Sequence, residues 1–311
     1  MKAKTLVVIL GQARADKLTW YSFKKNVLDI LEADLALCIG ESPENTSANK
    51  FWAHATYRWE VPEYMDFGDG FDQVQLDRYG EITEWRQVLN VPDQWLGGIM
   101  GENEQPGSAG ILVFLKAKLL EFLEQEEIRK KYDRYVITRS DFIWEVPHPK
   151  LNRMDSDKIW IPYGEFYWGV TDRHVVLSSN YLRPYLDLIG PILSEPDQLI
   201  RHMQTYNPKP NWNHEQYILF RLRSQGLEKK IRFLPYMMYS VREETTPTRW
   251  AEGEFDQELG FLVKYPSEKI RARLTRKYLI KKSGEVVLMP DFLFRWVLKG
   301  LFSMKVRGWI P

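Results

Sequence analysis

The segment that most limits the fold runs from Ile111 to Asp141. An amphipathic stretch, "ILVFLKAKLLEFLEQEEIRKK" (Ile111 to Lys131), has helical spacing and a basic end suited to the negative pole of a helix C-terminus. It feeds directly into "YVIT" (Tyr135 to Thr138), four β-formers that empty into Arg139-Ser140-Asp141. A helix leading into an apolar strand over so short a connection is a building unit of parallel sheets. The pattern predicts a central strand at Tyr135 to Thr138, with "YVITRSDFIW" reading as a buried strand that stops at a carboxylate. Asp141 then sits at the C-terminal edge, where open α/β sheets collect their ligands.

The start of the chain agrees. "TLVVIL" (Thr5 to Leu10) is a β-branched run ended by Gly11, and the next segment sets Trp20, Phe23, Val27, Ile30 and Leu31 on one helical face. Asp34 to Ile39 reads as a second strand, completing the strand-helix-strand opening of a nucleotide-binding α/β fold. Between Gly40 and Gly110 the periodicity is lost. "GGIMGENEQPGSAG" (Gly97 to Gly110) reads as a loop, either a lid beside a nucleotide site or a surface connector. Further on, "KIWIP" reads as a strand followed by a Gly-aromatic loop, "NYLRPYLDLIGPIL" and "NWNHEQYILFRLRSQGL" as helices, and "IRFLPYMMYSVRE" as a strand.

Composition excludes several classes. With 43 Lys and Arg against 42 Asp and Glu, no whole-chain field draws this protein to nucleic acid. Cys38 is the single cysteine, so there is neither a disulfide framework nor a cysteine zinc site, and a cytoplasmic location is expected. The sequence has no H-E-x-x-H, G-x-S-x-G or Walker A pattern, which argues against zinc proteases, serine hydrolases and P-loop enzymes. Most of the 12 Trp, 16 Tyr and 15 Phe are expected in the core, and His54, His148 and His202 are expected to be surface or packing residues.

A carboxylate at a strand edge, such as Asp141, suits a Mg²⁺ or Mn²⁺ ion whose shell phosphate oxygens and water complete. Arg139 reads two ways, as a phosphate or ribose contact or as a partner for an acid. The literal acid-x-acid, Asp155-Ser156-Asp157, precedes its strand and reads as a polar turn. Glu215 opens a helix that Asn213 can cap, so it serves either the helix dipole or chemistry.

Six motifs in order, "LGQAR", "YDRYVITRSDFIW", "IPYGEFYWGVTDRH", "NHEQYILFRL", "YSVREETTPTRW" and "LVKYPSE", resemble a family of GT-A type glycosyltransferase domains in which R-S-D replaces the usual acid-x-acid. The resemblance spans about Thr5 to Glu268. It implies an α/β, GT-A-like (Rossmann-like) fold with a mostly parallel central sheet flanked by helices, in one large domain. Residues 1–265 would form the catalytic domain, with 1–145 as the nucleotide half and 146–265 as the acceptor and sugar half; residues 266–311 would form a basic amphipathic tail.

The implied activity is transfer of a sugar from a nucleoside-diphosphate donor to a saccharide or lipid-linked saccharide, assisted by Mn²⁺ or Mg²⁺. The resemblance places Gly11, Gln12 and Arg14 at the nucleotide, with Arg139 and Ser140 beside the ribose and diphosphate. Asp141 would bind the metal, with His214 or His174 completing its shell. Asp172 would face the sugar, and Glu215 would be a general base on the acceptor side. "GEFYWG" departs from the acidic Gly-Glu-Asp expected there, which bears on the donor sugar. Rival readings are a nucleotidyltransferase or sugar-nucleotide hydrolase on a similar sheet, and a non-catalytic carbohydrate- or nucleotide-binding protein.

From Lys264 onward there are twelve Lys and Arg against three acids, Glu268, Glu285 and Asp291. "PDFLFRWVLKGLFSMKVRGWIP" reads as a helix after Pro290 with Arg295 and Lys299 as a narrow polar stripe. That suits either peripheral contact with the inner face of a membrane or docking on the protein body.

Overall fold

The computed structural model describes residues 4–91, 95–101, 107–125, 127–207, 212–244 and 251–306. β1 (Thr5–Gly11) leads into α1 (Asp16–Phe23), which runs through a π-helical turn (Lys24–Leu28) into α2 (Asp29–Leu31), and the chain returns as β2 (Asp34–Gly40). Phe23, Val27 and Leu31 are buried, as their spacing predicts.

α3 (Lys50–His54), β3 (Tyr57–Val61) and α4 (Phe67–Tyr79) occupy the stretch where the sequence shows no period. The ends of α4 are set locally: Asp66 accepts from the Gly68 N–H at 2.7 Å, and Gly80, at φ 77°, stops the helix. The helix expected over 111–131 is two, α5 (Ala109–Gln125) and α6 (Ile128–Lys131), parted at Glu127, which adopts φ 54°.

β4 (Arg134–Thr138) ends as expected, but the segment to Trp144 is not one strand. Three residues later the chain enters β5 (Phe142–Trp144), which belongs to another sheet. β6 (Ile159–Pro162) and β7 (Val175–Ser178) follow. "NYLRPYLDLIGPIL" holds two helices, α7 (Leu182–Leu186) and α8 (Ile189–Ser194), before α9 (Pro196–Tyr206) and α10 (His214–Ser224). "IRFLPYMMYSVRE" also divides, into β8 (Ile231–Leu234) and β9 (Met238–Arg242) of different sheets, because Pro235 interrupts the ladder. β10 (Glu254–Asp256), β11 (Phe261–Val263), α11 (Pro266–Tyr278) and α12 (Asp291–Val306) complete the chain.

Seven strands form a mostly parallel sheet in the order β3-β2-β1-β4-β7-β6-β8, flanked by helices. β7 alone among the described strands of this sheet runs against its neighbours, with Val175 opposite Ile137 of β4. Alternation splits each strand between two cores: Leu6, Val8 and Leu10 pack on one face with Tyr135 and Ile137, while Val7 and Ile9 pack on the other with Val136. Both faces are covered, which is why these strands read as continuous apolar runs. A smaller antiparallel sheet, β10-β11-β9-β5, receives the chain directly after Asp141, whose carbonyl accepts from Val241 N–H at 2.9 Å.

The segment from Pro266 onward packs on this body. α11 lies against β9, and α12 lies against α11 and β8. Leu298 is buried and Arg271 stacks on the Phe302 ring at 3.9 Å, while Trp296 is 76% exposed. Among the described residues, no helix is long and apolar enough to cross a membrane. The side chains of Phe292, Phe294 and Arg295 lie outside the described set, as do residues 102–106 of the expected lid loop and 245–250 of the "YSVREETTPTRW" motif.

Candidate active site

β1 and β4 are parallel neighbours, so the loops that follow them lie side by side. Gly11, at φ 124°, turns the chain off β1 in a conformation that favours glycine. Ser140 ties the two loops together: its Oγ donates to the Gln12 carbonyl at 2.6 Å and accepts from Arg14 N–H at 3.1 Å. Thr19 Oγ1 donates to the Ser140 carbonyl at 2.7 Å. Ser140 is therefore buried behind the loops as a support and does not line the cavity itself.

Asp141 is buried and gripped by two guanidinium groups. Arg139 donates Nε to Oδ1 at 3.0 Å and Nη2 to Oδ2 at 2.8 Å; Arg14 donates Nη2 and Nε to Oδ2 at 2.8 and 3.2 Å. Burial alone would push this carboxyl up, but Arg139 and then Arg14 hold it well below the usual carboxylate range. Gly11, Gln12, Arg14, Arg139 and Asp141 all line one cavity of about 530 Å³, a volume suited to a small organic ligand. Lys264, which follows β11, lines the same cavity. It has no carboxylate partner among the described residues, and burial, then Arg139, push its amine down to about 8.

The opposite wall comes from the loop before β7 and the first turn of α10. Asn213 closes a capping box with Gln216, accepting its N–H at 2.9 Å, which fixes where α10 starts. Gly169 lies so close to the Glu215 carbonyl that a Cβ there would come within 1.9 Å, and Val170 N–H donates to that carbonyl at 3.1 Å. This packing sets Glu215 beside Asp172 at the cavity. Burial, and then the Asp172 carboxylate, push Glu215 up to about 7. Burial works against charge on Asp172 too, but Arg173 foremost, with Lys116 and Arg139, holds it below its usual value.

Arg173 is the centre of this wall. It pairs with Glu268 at 2.5 Å, stands 3.8 Å from Asp172 and 3.9 Å from Glu215, and stacks between the rings of Tyr265 and Tyr167. Glu268, fully buried in the first turn of α11, accepts from Ser240 N–H at 2.7 Å and Tyr236 O–H at 3.1 Å. Lys116, buried on α5, donates to His214 Nε2 at 3.2 Å, and burial, then Lys116, push His214 down to about 3.

The "GEFYWG" loop rims the cavity beside this wall. Glu165, Tyr167 and Trp168 adopt φ of 51°, 42° and 71°, a strained run for residues with side chains. It is held by Arg271 and Ser267 on Glu165, at 3.2 and 2.9 Å, and by Asn213 Nδ2 donating to the Tyr167 carbonyl at 2.8 Å. Tyr167 lines the cavity and Trp168 is 86% exposed.

The structure thus brings Gly11, Gln12, Arg14, Arg139, Asp141, Asp172, His214 and Glu215 to one cavity. His174 is elsewhere, buried 3.3 Å from His148 and edge-on to Trp144. Asp155 Oδ1 accepts from Asp157 N–H at 2.8 Å, the polar turn expected of this stretch, and Asp157 also accepts from the distant Lys230 at 2.5 Å and Tyr181 at 2.6 Å. The expected pairing of Asp141 and His214 around a cation does not fit the donor set present. Both oxygens of Asp141 accept guanidinium donors, and His214 Nε2 accepts from an amine. Among the described residues no three His, Cys, Asp or Glu side chains gather as a metal site.

Sequence reasoning passed over Arg173, Lys264, Lys116 and Glu268. All four lie within quoted segments, Arg173 in "IPYGEFYWGVTDRH", Lys264 and Glu268 in "LVKYPSE" and Lys116 in the amphipathic stretch from Ile111, but none was given a role at the site.

No family model matches this chain, and no curated protein matches it. The crystal structure of mouse xyloside xylosyltransferase 1 in its apo form is similar over 75% of this chain and 85% of that one, with 9% identity and a TM-score of 0.40, a distance at which no activity carries over.

Proposed function

We propose that this protein is a glycosyltransferase that moves a sugar from a nucleoside-diphosphate donor to a hydroxyl of a saccharide or lipid-linked saccharide acceptor. One observation carries the reading: a single cavity holds a cation-rich wall at the ends of β1 and β4, and facing it a buried glutamate lifted to about 7. A general base works best with a pKa near the working pH, and a departing diphosphate needs positive charge where its own charge grows.

In the reaction, the acceptor hydroxyl gives its proton to a Glu215 oxygen as its own oxygen bonds to the anomeric carbon. The bond from that carbon to the diphosphate breaks, and its electron pair goes to the phosphate oxygen, next to Arg14, Arg139 and Lys264. Asp172, kept ionised by Arg173, raises Glu215 and is placed to accept from a sugar hydroxyl. The divalent cation that the family resemblance implies finds no fitting donor set, and no step here passes through one.

The test is release of nucleoside diphosphate from a donor panel, with and without acceptor glycosides. The expected result is release that depends on acceptor and falls about 10²- to 10⁴-fold in Glu215→Gln. Release that ignores the acceptor would turn the reading to a hydrolase, and an undiminished Glu215→Gln would remove Glu215 as the base.

A further inference from the structure

Around Asp141 the charges do not balance. Arg14 and Arg139 share its one carboxylate, each through hydrogen bonds of 2.8 Å. Lys264, on the same cavity wall, has no acid to pair with among the described residues. Arg173, the next cation inward, is ion-paired with Glu268 at 2.5 Å, and its charge adds to the repulsion on Arg139 and Lys264. Three cations around Asp141 leave two positive charges unmatched at this half-buried wall, because Asp172 and Glu268 on the facing wall are answered by Arg173 and Lys116. Keeping such charge out of water is costly unless an anion joins it.

Resting on the donor reading above, we infer that this protein binds the diphosphate through Arg14, Arg139 and Lys264 without a divalent cation, and that Asp141 orients the two arginines instead of ligating metal. The two excess charges match the two negative charges that the diphosphate of a nucleotide sugar carries on its non-bridging oxygens, one on each phosphate. Bidentate bonds to Asp141 leave each guanidinium with further N–H groups for phosphate, and Arg139 is steadied by the Phe142 ring at 5.7 Å. Asp141 is thus a positioning residue: it pins the cations and prevents their mutual repulsion from opening the pocket.

The experiment is thermal unfolding of the full chain with UDP, GDP, CDP or dTDP, each in EDTA and in Mn²⁺. At least one nucleotide should raise Tm equally in both. Lys264→Met should weaken that nucleotide about tenfold or more while the ligand-free Tm holds or rises, since the variant removes an unmatched buried charge. Arg139→Met should weaken binding similarly, with Asp141 still paired to Arg14. Stabilisation that appears only with Mn²⁺ would overturn the inference and leave the donor reading standing. No shift with any nucleotide in either condition would remove the donor reading, and the inference with it.

Discussion

The two walls of the cavity are built on different terms. The cation wall stands on the ends of the parallel strands β1 and β4, with Lys264 joining from the end of antiparallel β11, and its three cations share one acid. The acid wall gathers Asp172, Glu215 and Glu268 around Arg173 and Lys116, and it is assembled from segments far apart in the chain. The first is rigid in backbone and incomplete in charge. The second is nearly complete in charge and depends on contacts between elements, so the two should fail differently when altered.

The largest effect is expected on the acid wall. Glu268→Ala leaves Arg173 buried without its main partner, and breaking such a pair costs about 3–5 kcal/mol, read by chemical unfolding. A loss below about 1 kcal/mol would mean that Arg173 finds another partner and that the wall is less interdependent than drawn. Gly169→Ala forces a methyl group against the Glu215 backbone, and overpacking of this kind costs about 1–3 kcal/mol. Because the displaced residue is Glu215, kcat should fall along with stability while nucleotide affinity at the other wall holds. A parallel loss of nucleotide binding would show that the walls are one unit.

The pH response is a finer probe. Glu215 has its folded-state pKa raised to about 7, so its contribution to stability is full below the ordinary carboxylate range and is lost as pH rises through about 7. Activity runs the other way, since the base must be ionised: kcat/KM should climb over the same interval. Glu215→Gln should flatten the fall in Tm across that window; a fall that persists would assign the titration to another group. Smallest of all is Trp168→Gly. Relief of a left-handed backbone at an exposed residue should raise the unfolding free energy by about 1 kcal/mol or less, and a decrease would mean that the indole packs on the rim.

Much of the cation wall was legible in the sequence. β1, β4 and the carboxylate after β4 follow from apolar runs and their stops, and Asn213 announces the start of α10 by ordinary capping chemistry. What was hidden depends on distant pairing. Glu268 reads as a first-turn helix acid until Arg173 and Ser240 are brought to it, and no local pattern encodes that meeting. Lys116 sits in a helix with apolar residues on nearly every side, where period alone cannot tell a buried amine from an exposed one. The break of "YVITRSDFIW" into two sheets was equally silent, because residues 142–144 are as apolar as a continuing strand would be. Asp141 was found by position, whereas its pairing with Arg14 depends on two loops meeting and left no local signal.

The reversal of β7 has a consequence for how such a chain can diverge. Asp172, just before β7, and the arginines that follow β1 and β4 meet on a single rim, without a long connection to carry either across the sheet. Each set therefore belongs to a short segment that can lengthen, shorten or change residues while the strands stay where they are. Under the proposed function, preference for the leaving group and preference for the incoming hydroxyl would be carried by separate stretches of sequence, open to being altered one at a time.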